Sequence, residues 1–501
     1  MHLHRSVRLI LGLAACAAIA ISAGLLLNSC GSPSAGSITT GFNLIQPGLT
    51  PFTNSREASA SPCTVNAHTT GRARWTVLAY VNAASNLQDD SWLNVGQMAA
   101  VGSDNNVNIV VQWKQASSNT FFTGIKPSPT DTPSFSGTRR YLVRQHSAGE
   151  VSRIESGDST PLDSDRLADP ATNVVTATDP QGTSDMGDWH VLKDFVQWGA
   201  ANYPADNLAV VVWDHGSAAL SVSDNRSLPQ NLRFTSQTRK TPSSRSVSFD
   251  TNTGSQITTQ QIALALASLG TGGTQTADLL IIDCSLEAAV EVAYQVRNVA
   301  RALVASEESP PHEGLIYDAW LTALKNSGVN SCDLGNSILS TFLNASIYQN
   351  STKQAELTMS LTDLSQMQNV IVTLDAFGSS LYSHRADSAS AIATARNNAQ
   401  FYAYSDYKDL YDFANRIRTA SVPSDLQTAA LNLQTSMVST SNGAVLASVR
   451  GNDSAGTQAH STGLSVHIPL AGQLESEYAT LAISQTGAAP NWRLFLANQT
   501  Q

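Results

Sequence analysis

Residues 277–317 read ADLLIIDCSLEAAVEVAYQVRNVARALVASEESPPHEGLIY. Leu279-Leu280-Ile281-Ile282 is an apolar run of the length of a strand buried on both faces. Asp283-Cys284-Ser285 closes it with polar and small residues. The spacing predicts a helix over 286–298, with Leu286, Ala289, Val290, Ala293, Tyr294 and Val296 on or near one face. Residues 302–306 form a second short strand, followed by Glu307-Glu308 and a Pro-rich turn. In open α/β sheets, sites lie outside the carboxyl ends of the strands. Asp283, Cys284, Ser285, Glu307 and Glu308 are therefore expected where chemistry occurs.

Upstream, Trp75–Val81 and Val107–Trp113 read as strands, with a short helix over 92–101 between them. Ser184–Asp188 is a turn and helix cap before a helix through Leu192, Phe195, Val196 and Trp198. Residues 208–213 (LAVVVW) form another buried parallel strand. That strand ends in Asp214-His215-Gly216-Ser217, which puts an imidazole at the same sheet edge as Ser285. Gly216 allows a sharp turn and close backbone approach. His190, His312, His460 and His467 lack such a setting and read as structural or surface residues. Val247–Asp250 is a short strand. Ile257–Leu269 reads as an amphipathic helix with Ile262, Leu264, Leu266 and Leu269 inward.

The motifs of this block resemble the clostripain family of cysteine peptidases, relatives of the caspases. In that family a buried strand ends in Asp, a small residue and the nucleophilic Cys. Glu291-Val292-Ala293-Tyr294 and Ser306-Glu307-Glu308 match it without a gap. The family's Asp then falls on Asp283, its small residue on Cys284 and its nucleophile on Ser285. His215 matches the catalytic His in a Trp-Asp-His-Gly phrase, with Ala218-Ala219 replacing the usual Gly and aromatic. WTVLAYVNAASNLQ, Thr138–Tyr141, Tyr407–Phe413 and Gly463–Pro469 resemble further family phrases.

The resemblance implies a caspase-like three-layer α/β sandwich with a mainly parallel sheet and a helix-rich C-terminal part. It implies cleavage after Arg or Lys, with Asp283 lining the pocket and Gly216 and the nucleophile's own N–H as oxyanion donors. Glu307 and Glu308 join them as candidate substrate contacts. Calcium enters only by family analogy; no EF-hand pattern is present and no zinc ligand spacing occurs.

Alternation along an extended chain puts Asp283 and Ser285 on one side and Cys284 on the other, toward the packing helices. Cys284 serves as nucleophile only if the backbone turns differently by one residue. A serine hydroxyl needs a strongly oriented base, and Asp214 diverges from its neighbour His215. Two functions stay open: a peptidase acting through Ser285 or Cys284, and a degenerate peptidase that binds basic segments or a cell-envelope partner without cutting them.

The chain has 501 residues, enough for a large core, and a net charge of −10, which argues against nucleic-acid binding. Arg5 and Arg8, an apolar run to Leu27 and then Asn28-Ser29-Cys30 resemble a bacterial lipoprotein signal. Residues 1–29 are thus expected to be a signal peptide and Cys30 the lipid-bearing residue, which would place the protein in the bacterial cell envelope, anchored to the membrane; the alternative is an uncleaved signal anchor, since the apolar run is nearly long enough to span. Residues 30–72 read as a low-complexity linker, 73–350 as the peptidase core and 351–501 as the C-terminal part of the same fold. In an exported chain Cys63 and Cys332 are a candidate disulfide that the sequence leaves open. The loop 119–179 is functional or mobile. Residues 221–246, with five Arg and Lys side chains, form an exposed loop or a self-cleavage segment.

Overall fold

The computed structural model describes residues 61–116, 135–167, 184–219, 246–269, 275–326, 328–485 and 487–499. The expected signal peptide, Cys30, most of the expected linker, the basic segment 221–245 and much of the loop 119–179 lie outside the described residues.

Among the described residues twelve strands follow the chain: β1 (Ala73–Ala83), β2 (Val107–Gln115), β3 (Gly137–Leu142), β4 (Ala205–Trp213), β5 (Ser246–Asp250), β6 (Ser255–Thr258), β7 (Ala277–Asp283), β8 (Ala300–Ala305), β9 (Thr358–Asp363), β10 (Tyr407–Asp409), β11 (Val445–Arg450) and β12 (Ser465–His467). Eight of them form one sheet in the order β11-β9-β8-β7-β4-β1-β2-β3. The five central strands from β8 to β2 pair in parallel, and β3, β9 and β11 join antiparallel. The chain runs outward from β1 to β2 and then returns to β4 on the other side, so the topology reverses at β1.

The central strands are apolar on both faces because helices cover both. On one face Leu78, Tyr80, Val210, Val212, Leu280 and Ile282 pack with side chains of the helices Trp189–Asn202, Thr259–Leu266, Val290–Val296 and Met367–Ser383. On the other, Val77, Ala79, Val81, Val211, Leu279 and Ile281 pack with the helices Gln88–Val101, Tyr317–Leu324 and Ser331–Asn344. Each fully buried Val, Leu or Ile contributes about 1.5–3 kcal/mol, so this double-sided core is what fixes the strand ends. The expected three-layer α/β sandwich is the architecture found.

Several local expectations are corrected. The helix expected over 286–298 begins only at Val290. Leu286 has φ +70°, a left-handed conformation costly for a bulky side chain, so 285–288 turn before the helix starts. Ile257 belongs to β6, and the helix that follows it leaves Leu264 half-buried rather than inward. The last dozen residues of the expected linker are a strap. Cys63 is disulfide-bonded to Cys332 at the start of the helix Ser331–Asn344. Asn66 donates to Asn207 Oδ1 (2.7 Å) and Asp278 Oδ1 (3.2 Å), and His68 pairs with Asp206 at 2.7 Å. The strap therefore crosses the amino ends of β4 and β7, opposite the edge that carries the site.

The disulfide closes a loop of 269 residues, for which chain entropy alone predicts about 5 kcal/mol. Reduction, or a Cys63→Ala/Cys332→Ala variant, is expected to lower the thermal midpoint by roughly 5 °C, a small shift because unfolding entropy grows with chain length. Differential scanning calorimetry with and without reductant checks this; an unchanged midpoint would mean the strap adds no stability.

Candidate active site

Parallel register sets the site. Val81 of β1 lies beside Trp213 of β4, and Trp213 lies beside Asp283 of β7. The three strands thus end level, and the next residues of each gather at one edge. Asn86 follows β1, His215 follows β4, and Asp283, Cys284 and Ser285 close β7. All five line one cleft of about 180 Å³, whose other wall is the loop 309–314.

Side-chain alternation carries through the end of β7. Cys284 is 2 % exposed and belongs to the same buried cluster as Leu280 and Ile282. Its thiol lies 3.6 Å from the carbonyl oxygen of Val212. Burial, followed by the nearby carboxyls of Glu287, Asp214 and Asp283, pushes its pKa well above the ordinary thiol value, so it stays protonated. Asp283 emerges on the other side. Its Oδ2 accepts from the Leu315 N–H (3.2 Å) and the Tyr317 hydroxyl (2.9 Å), while Oδ1 makes no hydrogen bond and is not sealed from the cleft. Burial raises its pKa to about 6, and those two donors pull in the opposite direction. Ser285 lines the cleft at 8 % exposure, and its hydroxyl has no hydrogen-bond partner among the described residues.

His215 is oriented by an amide. Its Nε2 lies 2.6 Å from Asn86 Oδ1. With the amide oxygen toward the ring, Nε2 carries the proton and Nδ1 the lone pair. Burial pulls the imidazole down to about 4, and with part of the ring still facing the cleft it is neutral at pH 7. Asp214 is not its partner, as the sequence suggested. Its carboxylate accepts from the Ser85 hydroxyl at 3.1 Å and from the Phe249 N–H, tying β4 to β1 and β5.

Gly216 allows the two strand tips to touch. A Cβ there would sit 2.5 Å from Ser285 O, 2.7 Å from Cys284 Cβ and 2.9 Å from Ser285 N. Its own N–H and that of Ser285 have no hydrogen-bond partner among the described residues; of the two residues, Ser285 lines the cleft. Glu287 stabilises this contact. Its Oε1 accepts from the N–H groups of Ser217 (3.2 Å) and Ala218 (3.0 Å), and its Oε2 is buried without a hydrogen bond. Burial lifts its pKa to about 7.

Glu307 and Glu308 do not line this cleft; the expectation that they contact substrate is replaced by a structural role. Glu307 Oε2 accepts from the Gly463 N–H, and Glu308 Oε1 from Ser309 and Ala403. They hold the C-terminal part against the sheet. Glu291 does the same through the His467 N–H (3.1 Å). Conversely, His312 lines the cleft and is not merely a surface residue; its Nδ1 lies 2.8 Å from Asp90. Asn86, Glu287, Asp90 and His312 are the residues that sequence reasoning missed as site members. Asn86 carried a signal, being polar directly after a buried strand; Glu287 stood out as a charge in an apolar run. Among the described residues, no group of three His, Cys, Asp or Glu side chains is placed to hold a metal.

Solved structures share the fold. A secreted C11 cysteine protease from Bacteroides thetaiotaomicron, in complex with an irreversible peptide inhibitor, is 16 % identical with a TM-score of 0.52, covering 84 % of this chain and 99 % of its own. An inactive zymogen C11 protease from Parabacteroides distasonis is 14 % identical with a TM-score of 0.51, covering 83 % and 98 %. No curated protein matches the chain. The profile described as the clostripain family matches residues 98–480, which takes in both strand tips and most of the C-terminal part, and the chain belongs to that family.

Proposed function

We propose that the cleft binds peptides through a basic residue facing Asp283, presents the adjoining carbonyl to Ser285, and hydrolyses it slowly. The observation that carries this reading lies at the tip of β7: both residues border the cleft, but Cys284 is 2 % exposed with its thiol 3.6 Å from Val212 O in the core cluster, while the Ser285 hydroxyl has no such core contact. A carboxylate that is not fully engaged suits an Arg or Lys side chain. His215 Nδ1 would take the Ser285 proton as Oγ attacks, and would return it to the leaving amine. The Gly216 and Ser285 N–H groups would hold the oxyanion.

Two features slow this step. A thiol, with a free pKa of about 8.5, ionises far more readily than a hydroxyl. An amide also stands where serine peptidases use a carboxylate to steady the imidazolium, so the charge forming on His215 would be met by a dipole and not by an anion. The depressed pKa of His215 works in the same direction, since it makes the imidazole a weaker base.

The chain is further proposed to be exported and held at the membrane by lipid on Cys30. The segment Leu27-Asn28-Ser29-Cys30 after an apolar run supports this, as does a disulfide, which persists in oxidising compartments. A structural neighbour is described as secreted. Cys30→Ser should shift the protein from the membrane to the soluble fraction on ultracentrifugation; an unchanged distribution would mean another anchor.

With an Arg-ended reporter amide, slow turnover should vanish in Ser285→Ala while peptide binding persists. Ser285→Cys should raise turnover at least about tenfold, by thiolate chemistry. No turnover in the wild type, with binding retained, reassigns the protein to binding alone. Loss of turnover in Cys284→Ala but not in Ser285→Ala would overturn the assignment of the nucleophile.

Binding of the basic peptide should weaken below about pH 6, the value to which burial raises Asp283. The sign follows from the carboxyl: protonation removes the negative charge that attracts the ligand. Asp283→Asn should abolish this acid limb along with most of the affinity, as read by isothermal titration across pH 5–8.

A further inference from the structure

The loop 309–315 forms one continuous, well-held wall of the cleft. The Ser309 N–H donates to Glu308, the Gly314 N–H to Pro311 O, and the Asn94 amide to Glu313 O. The Tyr348 hydroxyl donates to Gly314 O, and the Leu315 N–H to Asp283. Gly314 has φ +66°, and a Cβ there would lie 2.9 Å from Asp283 Oδ2. The loop thus passes from His312 to the Asp283 carboxylate within three residues, and both side chains face the same cleft.

We infer that His312 determines specificity in this cleft: fixed by Asp90 on the wall it shares with Asp283, its imidazolium competes with the basic side chain of a bound peptide. This rests on the reading that Asp283 receives that side chain. The Nδ1–H donates to Asp90 Oδ1 at 2.8 Å, which orients the ring and leaves Nε2 to titrate. Nε2 lies 3.8 Å from Glu313 Oε2, an oxygen that is buried and makes no hydrogen bond. Protonation of Nε2 would give that oxygen a charged partner.

The charged groups facing His312 come from four elements. Asp90 comes from the helix Gln88–Val101, Glu313 from its own loop, Lys353 from the helix Ser351–Gln354 and Glu356 from the segment after it, while Asp283 lines the same cleft. Lys353 is largely committed to Glu313. The hydrogen bond to Asp90 outweighs burial and raises the His312 pKa above the usual imidazole value. The ion pair with Asp90 thus favours the charged ring, and the cation is lost as pH rises. Basic ligands are repelled while it persists and admitted once it is gone.

The test uses the full-length Ser285→Ala protein, in which a peptide is not consumed, and a fluorescent tripeptide ending in Arg. Anisotropy at pH 6.5 and 8.5 should show affinity rising about five- to tenfold with pH, the scale of a like-charge contact at a partly screened site. His312→Gln should bind tightly at both values, keeping only the limb near pH 6 that belongs to Asp283. Asp90→Asn should move the step to lower pH without removing it, a shift that loss of packing alone would not produce. Binding at pH 8.5 with no step toward pH 6.5, or a step that survives His312→Gln, overturns the role of His312 alone. Absence of binding at pH 8.5 overturns the basic-peptide reading and this inference with it.

Discussion

The contact between two strand tips organises the molecule. The Gly216 backbone lies against Cys284 and Ser285 so closely that no side chain fits between them. That approach is available only because β4 and β7 are parallel neighbours ending level, with Trp213 beside Asp283. Both-face burial of the strands sets the register, since a one-residue slip would turn each apolar side chain into the wrong helix layer. The imidazole, the hydroxyl, the acid at the end of β7 and the pair of N–H donors are all consequences of that register. Glu287 preserves the contact locally at the expense of a buried, half-satisfied carboxyl, and Ala218 and Leu286 adopt left-handed backbone on either side of it.

Much of this was legible in the residues. Continuous apolar runs marked β1, β2, β4 and β7, because strands buried on both faces need no polar alternation. Period-two alternation placed Cys284 with the core, and the cluster containing Leu280 and Ile282 includes it. What was not legible came from tertiary contact. Glu307 and Glu308 follow a parallel strand as site residues do, yet their partners Gly463 and Ala403 lie about a hundred residues or more downstream. The early start expected for the helix after Ser285 failed because Leu286 spends its backbone on the turn. His312 could not be assigned, since its meaning depends on Asp90, which is more than two hundred positions away. The strap over 61–72 has linker composition and is ordered by one covalent bond and a few polar contacts.

The electrostatics of the edge are those of crowded, poorly solvated acids. Asp214, Asp283 and Glu287 are all raised by burial, and together they disfavour a second negative charge on Cys284. A thiolate at that position would be doubly penalised, by desolvation and by its neighbours. A hydroxyl at 285 needs no standing charge and tolerates these surroundings. The serine thus fits its environment even where it weakens the chemistry the fold otherwise supports.

The sheet is also closed by residues that arrive late in the chain. β8 has an open edge until β9 pairs with it, and β9 until β11 does. The turn after Ser285 is braced by Ser465 through the carbonyl of Ala288, and β12 pairs with β10 nearby. A nascent chain on the ribosome therefore holds every reactive group of the cleft long before it can assemble them. Its unpaired strand edges would be sticky in that interval. A chain halted before Val445 would lack both the strand that pairs with β9 and the Ser465 N–H that braces the turn after Ser285.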